Sequence, residues 1–322
     1  MLASGIPVGA SQGNSFATAQ LIQRGTYHYV MTVGASHYFK VQLAAAERIY
    51  VTLQCPAGAD YDLYLYGPDQ SQVDSSLSTS EFDWVGRSPS QVVVGGFYYI
   101  KVRYWDGPSG TYELVVGPTL ISSGTQELTM PEDGHAFFEV NGQSGWGMDI
   151  SMTQPPQTDI DIDVFDPDGE GVGSSSRGVG QVEQVSITLS KTGRYLLWID
   201  YYSGPGGSYR LTVLVGPKVS IRIVGLPSTL RTTISVGGNP FQEVSGGSTT
   251  NIIIPGGGLA TISVTGTVTQ TSQTRYQCSD PSWQSSTSSH DFTYTAQYRL
   301  ETSNGGHGTV SPASGWYDSG AS

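Results

Sequence analysis

The sequence predicts an all-β protein of three consecutive β-sandwich domains, and three observations carry that reading. Apolar and polar residues alternate along short runs, no i, i+3, i+4 apolar stripe persists for three turns, and the chain repeats itself at an offset near 100 residues. Aromatic and β-branched residues are plentiful, with 19 tyrosines, so the chain is expected to pack rather than stay disordered.

The repeat sets the first two domains. Residues 59–70, ADYDLYLYGPDQ, align with 158–169, TDIDIDVFDPDG, and residues 98–114, YYIKVRYWDGPSGTYEL, align with 195–211, YLLWIDYYSGPGGSYRL. The copies close on Val116-Gly117-Pro118 and Val215-Gly216-Pro217, which bounds domains at 1–118 and 119–217. Within each copy, Val41 and Leu43, then Ile49, Val51 and Leu53, alternate with polar neighbours. Tyr61, Leu63 and Leu65 match Ile160, Ile162 and Val164 as buried sets, which turns Asp62, Tyr64 and Tyr66 the other way. The Gly-Pro-x-Gly segments at 107–110 and 204–207 read as hairpin-type loops.

These residues carry a resemblance. The order D-x-D-L-Y-L-Y-x-P-x, a Ser-rich stretch, then Y-Y-I-x-V-x-x-Y-x-G-x-x-G-x-Y-x-L-x-V is similar to the bacterial and archaeal pre-peptidase C-terminal (PPC) domain, over roughly 14–116 and more loosely 122–215. The resemblance implies a jelly-roll-type β-sandwich without catalysis, found beside the catalytic domains of secreted peptidases and in other extracellular proteins. Related collagenase domains bind calcium through an acidic N-terminal segment; here that segment reads GNSFATAQ, with Asn14 but no carboxylate.

The last third changes character. Strand-like alternation over 219–297, with turns at Gly237-Gly238, Gly246-Gly247 and Gly256-Gly257-Gly258, predicts a third, Ig-like or related sandwich at 218–297. GLPSTLRTTISVGG and TRYQCSDPSW resemble a module of large archaeal and bacterial surface proteins. Residues 298–322 read either as the start of a further surface-repeat module or as C-terminal strands, and suggest a piece of something longer.

Composition narrows function. The formal charge is −12, distributed as about −3 over 1–118, −9 over 119–216 and 0 over 217–322, so nucleic acid is a poor partner. Cys55 and Cys278 lie far apart in the chain and point to two separate thiols. No run is apolar enough to span a membrane, and the opening MLASGIPVGAS lacks the charged n-region of a signal peptide. Scarce lysine with abundant Ser, Thr, Gly and Tyr suits an extracellular or cell-surface protein.

Two constellations could carry chemistry. Asp159, Asp161 and Asp163 share one strand face, with Asp166 and Asp168 just beyond, and hard carboxylate oxygens in a row suit Ca²⁺. The competing reading is a solvated face neutralised by Arg177, Lys191 or Arg194. Asp60 and Asp62 persist in the first copy, so the pair shared with Asp159 and Asp161 reads as a fold feature that caps a loop through backbone N–H groups. Calcium is the one cofactor suggested. The second constellation is aromatic: Tyr64, Tyr66, Tyr99, Tyr104 and Trp105 in the first copy, with Trp198, Tyr201 and Tyr202 in the second. Of these, Tyr64, Tyr66, Tyr104, Trp105, Tyr201 and Tyr202 are candidate contacts for a glycan or protein polymer or for another copy, with subunit or domain packing as the alternative, while Tyr98, Tyr112, Tyr195 and Tyr209 are expected to pack at sheet edges and corners. His28, His37, His135, His290 and His307 are scattered, and neither HExxH nor a G-x-S-x-G elbow occurs. The expectation is a non-catalytic structural or adhesive module, able to assemble into a filament or layer; the alternative is the substrate-binding accessory region of a secreted peptidase or glycosidase.

Overall fold

The computed structural model describes residues 12–285, 288–306 and 308–321. The opening MLASGIPVGAS and His307 lie outside them. Regular structure is almost entirely strand, with two short 3₁₀ turns at Pro89–Gln91 and Pro255–Gly257. The chain divides into two compact units, one ending at Val215 and the other starting at Gly216.

The first unit holds two sandwiches. The first comprises β1 (Gln20–Leu21), β2 (Gly25–Met31), β3 (Ser36–Leu43), β4 (Ile49–Gln54), β5 (Asp60–Tyr66), β6 (Gln72–Ser76), β7 (Phe82–Arg87), β8 (Gly96–Asp106) and β9 (Gly110–Gly117). They form a five-stranded sheet, β1-β3-β8-β5-β6, and a four-stranded one, β2-β9-β4-β7. The second comprises β10 (Thr119–Ile121), β11 (Gly124–Met130), β12 (His135–Gly142), β13 (Gly147–Thr153), β14 (Asp159–Phe165), β15 (Gly171–Ser175), β16 (Glu183–Thr188), β17 (Gly193–Ser203) and β18 (Gly207–Gly216). Its sheets, β10-β12-β17-β14-β15 and β11-β18-β13-β16, repeat the same order strand for strand. Even the short parallel edge recurs, Gln20 opposite Phe39 and Thr119 opposite Phe138.

Period-two alternation builds both cores. Tyr61, Leu63 and Leu65 are fully buried, as are Ile160, Ile162 and Val164, each removing roughly 1.5–3 kcal/mol worth of apolar surface from water. Tyr98, Tyr112, Tyr195 and Tyr209 are core residues rather than edge or corner ones. A carboxylate is buried at matched positions of the two sandwiches. Asp83 accepts from Ser76 Oγ and from the Ser78 N–H (3.3 Å); Glu183 accepts from Ser175 Oγ and from the Arg177 N–H (3.0 Å). The pair ties the end of β6 or β15 to β7 or β16, and burial pushes the Asp83 carboxyl up to about 6.

The Gly-Pro segments correct the hairpin expectation. β8 pairs with β3 and β5, while β9 pairs with β2 and β4, so residues 107–110 carry the chain from one sheet to the other. The crossing is tight. Gly107 has φ +85° and a Cβ there would lie 2.2 Å from the Gly58 carbonyl oxygen; Gly204, with φ +106°, would meet that of Gln157 at 2.2 Å. Only glycine fits both the angle and the space.

The second unit contains β19 (Lys218–Val224), β20 (Arg231–Val236), β21 (Asn239–Ser245), β22 (Thr249–Ile253), β23 (Thr261–Val264), β24 (Thr267–Thr269), β25 (Thr274–Cys278), β26 (Ser282–Gln284), β27 (Ser289–Leu300) and β28 (Gly315–Asp318). One sheet runs β22-β19-β27-β25-β24 with β28 also on β27, the other β21-β20-β23-β26. Gly237 and Gly238, both at positive φ, make the two-residue turn between β20 and β21. The strand expected to end near 297 continues to Leu300, and β28 pairs with its end, Leu300 opposite Gly315. Trp316 and Tyr317 thus lie on a strand beside β27, opposite Arg299 and Tyr298. Cys55 and Cys278 are free and buried, one in each unit.

Candidate functional site

The acid row does not gather around one point. Asp166 and Asp168 both hold Lys191, each carboxylate 2.5 Å from its Nζ, and Asp166 also accepts the N–H groups of Asp168 (2.9 Å) and Glu170 (3.1 Å). Two of the five proposed calcium ligands are thus taken by an ammonium and a turn. Arg194 goes to Glu139 and Arg177 to the Val182 carbonyl, so neither neutralises the row. Among the described residues, no three His, Cys, Asp or Glu side chains form a group able to hold a metal ion. Against the loop-capping expectation, the Oδ1 atoms of Asp60 and Asp159 are buried without a hydrogen-bond partner among the described residues, and Asp62 Oδ2 accepts from the Tyr64 hydroxyl.

The row is instead an electrostatic cost of the fold. Asp161 lies opposite Asp200 across β14 and β17. Burial first, and then Asp159, Glu183, Asp200 and Asp163, push its carboxyl up to about 6. Burial and Asp200 raise Asp163 as well. Between its unfolded value of about 3.9 and about 6, such an acid binds more protons folded than unfolded, so its contribution to stability falls as pH rises through that window and is flat above it. Asp161→Asn is expected to raise Tm at pH 7 and leave it unchanged near pH 3. A lower Tm at pH 7 would mean the carboxylate has a favourable partner.

The tyrosines occupy the outer face of the first sandwich's five-stranded sheet. Tyr66 meets Phe16 edge-on at 4.9 Å, and the same ring contacts Tyr38 (5.2 Å) and Tyr99 (5.3 Å). Tyr64 stacks on Tyr66 at 6.3 Å and donates its hydroxyl to Asp62 Oδ2 at 2.9 Å. Lys101 Nζ lies over the rings of Tyr64 (5.0 Å) and Tyr38 (5.7 Å). Arg103 lies over Trp105, which is 57% exposed, with its guanidinium carbon 4.8 Å from the ring centroid. Asn14, Ser15 and Thr18 bond to one another in the turn that places Phe16 here. Rings and cations together make a surface suited to stacking and to acidic or polar groups.

Tyr104 and Tyr201 are half-buried and tied to loops through their hydroxyls. Their hydroxyls donate to the carbonyls of Gly107 (2.5 Å) and Gly204, bracing the two sheet-crossing loops. Tyr202, the counterpart of Trp105, is 74% exposed.

The sequence reading singled out Trp198 but not its partners in the junction between the two sandwiches. Tyr50, Phe82 and Trp84 point outward from the first four-stranded sheet and meet the outer face of the second five-stranded sheet. Tyr50 stacks on Phe137 at 4.4 Å and 12°, and Trp84 lies 5.1 Å from Trp198, 5.3 Å from His135 and 5.5 Å from Phe137. Gly86 makes room for the Tyr50 ring, which a Cβ would meet at 2.3 Å. At the rim, Glu139 receives Arg24 (3.0 Å), Arg194 (3.2 Å) and Arg48 (3.6 Å). Arg48 Nη2 also donates to the carbonyls of Asp166 (2.9 Å) and Pro167 (3.1 Å). Beside the stack lies a cleft of about 510 Å³ with mainly apolar walls, including Tyr50, Phe82 and Phe137, and with Gln54, Gln126 and Glu113 as polar groups.

The described histidines serve packing and pairing: His37 Nδ1 lies 2.8 Å from the Tyr112 hydroxyl, His28 pairs with Glu113, His135 with Asp200, and His290 stacks on Trp283 at 4.7 Å. Among the described residues, no helix is long and apolar enough to cross a membrane.

The fold and these faces define a chain of β-sandwich modules, two of one topology docked sheet to sheet. No family model matches the sequence, and no curated protein matches it. Among solved structures, it is similar to the pre-peptidase C-terminal domain of a Bacillus anthracis collagenase, at 20% identity over 31% of this chain and 94% of that one, with a TM-score of 0.27. It is similar to PliG of Aeromonas hydrophila, a periplasmic inhibitor of g-type lysozyme, at 16% identity over 30% and 94%, TM-score 0.26. The BSP domain of a biofilm-associated protein aligns at 8% identity over 84% of this chain and 66% of that one, TM-score 0.21.

Proposed function

We propose that the protein is a non-catalytic structural or adhesive module of a secreted or cell-surface protein, with sandwich modules at 1–118, 119–217 and 218–297, the last completed by strands from 298–322. One observation carries the reading: the repeated sandwiches are docked by an aromatic stack and buried ion pairs, while the first carries a second, half-buried tyrosine–lysine face topped by Phe16 that suits a contact surface. A spacer that transmits force or presents a binding face gains from such docking, because each docked face loses freedom to reorient.

Arrays of glycans and matrix proteins probed with wild type and Tyr64→Ala test the contact face. Loss of signal in the variant is expected, and an unchanged profile would remove this face from the reading. Calcium is tested apart from it. Chelation is expected to leave Tm unchanged, since Asp166 and Asp168 already hold Lys191; a Tm that rises with added Ca²⁺ and is insensitive to it in Asp163→Ala would restore the acid row as a metal site.

A further inference from the structure

We infer that the tyrosine–lysine face of the first sandwich docks a second copy of this chain, seated head-to-tail by the outer face of that copy's β11-β18-β13-β16 sheet. The inference rests on the contact-face reading above and names the partner.

The junction inside the chain supplies the geometry. There a four-stranded sheet lies on a five-stranded one, Tyr50 and Trp84 resting on Phe137 and Trp198. Strand register gives each residue its counterpart in the other copy. Tyr38 pairs across to Lys101 as Phe137 pairs to Trp198, and Tyr64 to Lys101 as Asp163 to Trp198. The tyrosine–lysine face of the first sandwich is therefore the same face that the junction covers in the second. On the other partner, Tyr50 opposite Gly86 and Thr52 opposite Trp84 correspond to Asp149 opposite Ser186 and Ser151 opposite Gln184.

Repeating the junction between two chains would set Asp149 and Gln184 on Tyr38 and Lys101. The exchange is chemically matched on both sides. Where the internal junction joins aromatic to aromatic, the outer faces offer a carboxylate and an amide to an ammonium and tyrosine rings. Lys101 lies over two rings and has no carboxylate partner among the described residues, while Asp149 is bonded only to the Ser186 hydroxyl, at 2.5 Å. Arg177 borders the Asp149–Gln184 surface and donates to the Val182 carbonyl. At the rim the charge also changes hands. Lys40 takes the place of Glu139, since Leu21 pairs with Lys40 as Leu120 pairs with Glu139. The arginines that would repel it are gone: Ser123 stands where Arg24 does and Gly147 where Arg48 does, each just before the matching strand residue. Gln184 and Ser186 are exposed. Two different faces of one chain meet, so the contact is heterologous and propagates rather than closing as a dimer.

Sedimentation velocity of the full chain over a concentration series, at low and physiological salt, tests this with wild type, Lys101→Glu, Asp149→Lys and the double variant. Wild type is expected to associate, more strongly at low salt; each single reversal should weaken association roughly tenfold or more, and the double reversal should restore it. Regained association also shows that the substituted chain folds. A wild type that stays monomeric throughout, single variants that associate like wild type, or a double variant that fails to recover would each overturn the inference. Tyr64→Ala separates the two readings. A monomeric wild type whose array signal depends on Tyr64 removes self-docking and keeps the contact face, whereas a monomeric wild type indifferent to Tyr64 removes both.

Discussion

Glu139→Ala is expected to destabilise the two-sandwich unit by about 3–5 kcal/mol, the cost of leaving a buried charge without its partner. The Glu139 and Arg48 side chains are each 3% exposed, and three guanidinium groups converge on this one carboxylate. Arg48 cannot escape to water when Glu139 is removed, because its Nη2 is held by the carbonyls of Asp166 and Pro167. Burial already works against its charge, lowering its pKa, and Glu139 is the largest opposing influence. Arg24, 24% exposed, can rehydrate, so Arg24→Ala should cost less. An exposed pair supplies the control. Glu127 and Arg210 are 63% and 62% exposed, and Glu127→Ala should change stability by at most about 1 kcal/mol. Urea melts followed by tryptophan fluorescence report all three. A Glu139→Ala cost no larger than that of Glu127→Ala would show that the rim ion pairs do not hold the junction.

Trp84→Ala is expected to uncouple the sandwiches. Its indole contacts Tyr50, His135, Phe137 and Trp198, and truncating a large packed aromatic costs about 3 kcal/mol or more. Nearly all of that loss falls on docking rather than on either core, because Val85 beside it faces inward and is untouched. Calorimetry should therefore show one cooperative transition for the two-sandwich unit in wild type and two in the variant, the second sandwich unfolding apart from the first. A single transition at an unchanged Tm would mean that Trp84 is a passenger on the surface.

Much of the fold was legible because strands write their burial into the chain with period two. Tyr61, Leu63 and Leu65 declared one face, and comparison with Ile160, Ile162 and Val164 declared the repeat. The same parity marked Tyr64 and Tyr66 as outward, as they are. Parity says nothing about what lies beyond the outward face. Tyr50 and Trp84 read as ordinary outward aromatics, yet they are the docking surface; Tyr64 and Tyr66, with the same parity, are half-buried under Phe16 and Lys101 instead. One signal for the junction was present: on matched positions Tyr50 and Trp84 become Asp149 and Gln184, while Tyr38 and Lys101 become Phe137 and Trp198. A pair of aromatic faces unique to one side of each copy is what a junction between them requires.

Loops were least legible. A Gly-Pro-x-Gly segment between two strands serves a hairpin or a sheet crossing equally well, and only the partners of β8 and β9 separate the two. Likewise, five aspartates in one stretch suggested a shared ion, but side-chain destinations depend on what the fold brings near. Lys191, more than 20 positions away, claims Asp166 and Asp168, while Asp200 arrives opposite Asp161 and raises the cost of its charge. By itself the sequence determined strand class, the repeat and which side of each strand is apolar, since these follow from local periodicity and self-comparison. Tertiary structure alone decided which outward faces are covered, which loops change sheets and which charges are paired, because each depends on groups distant in the chain that meet only when the sheets stack.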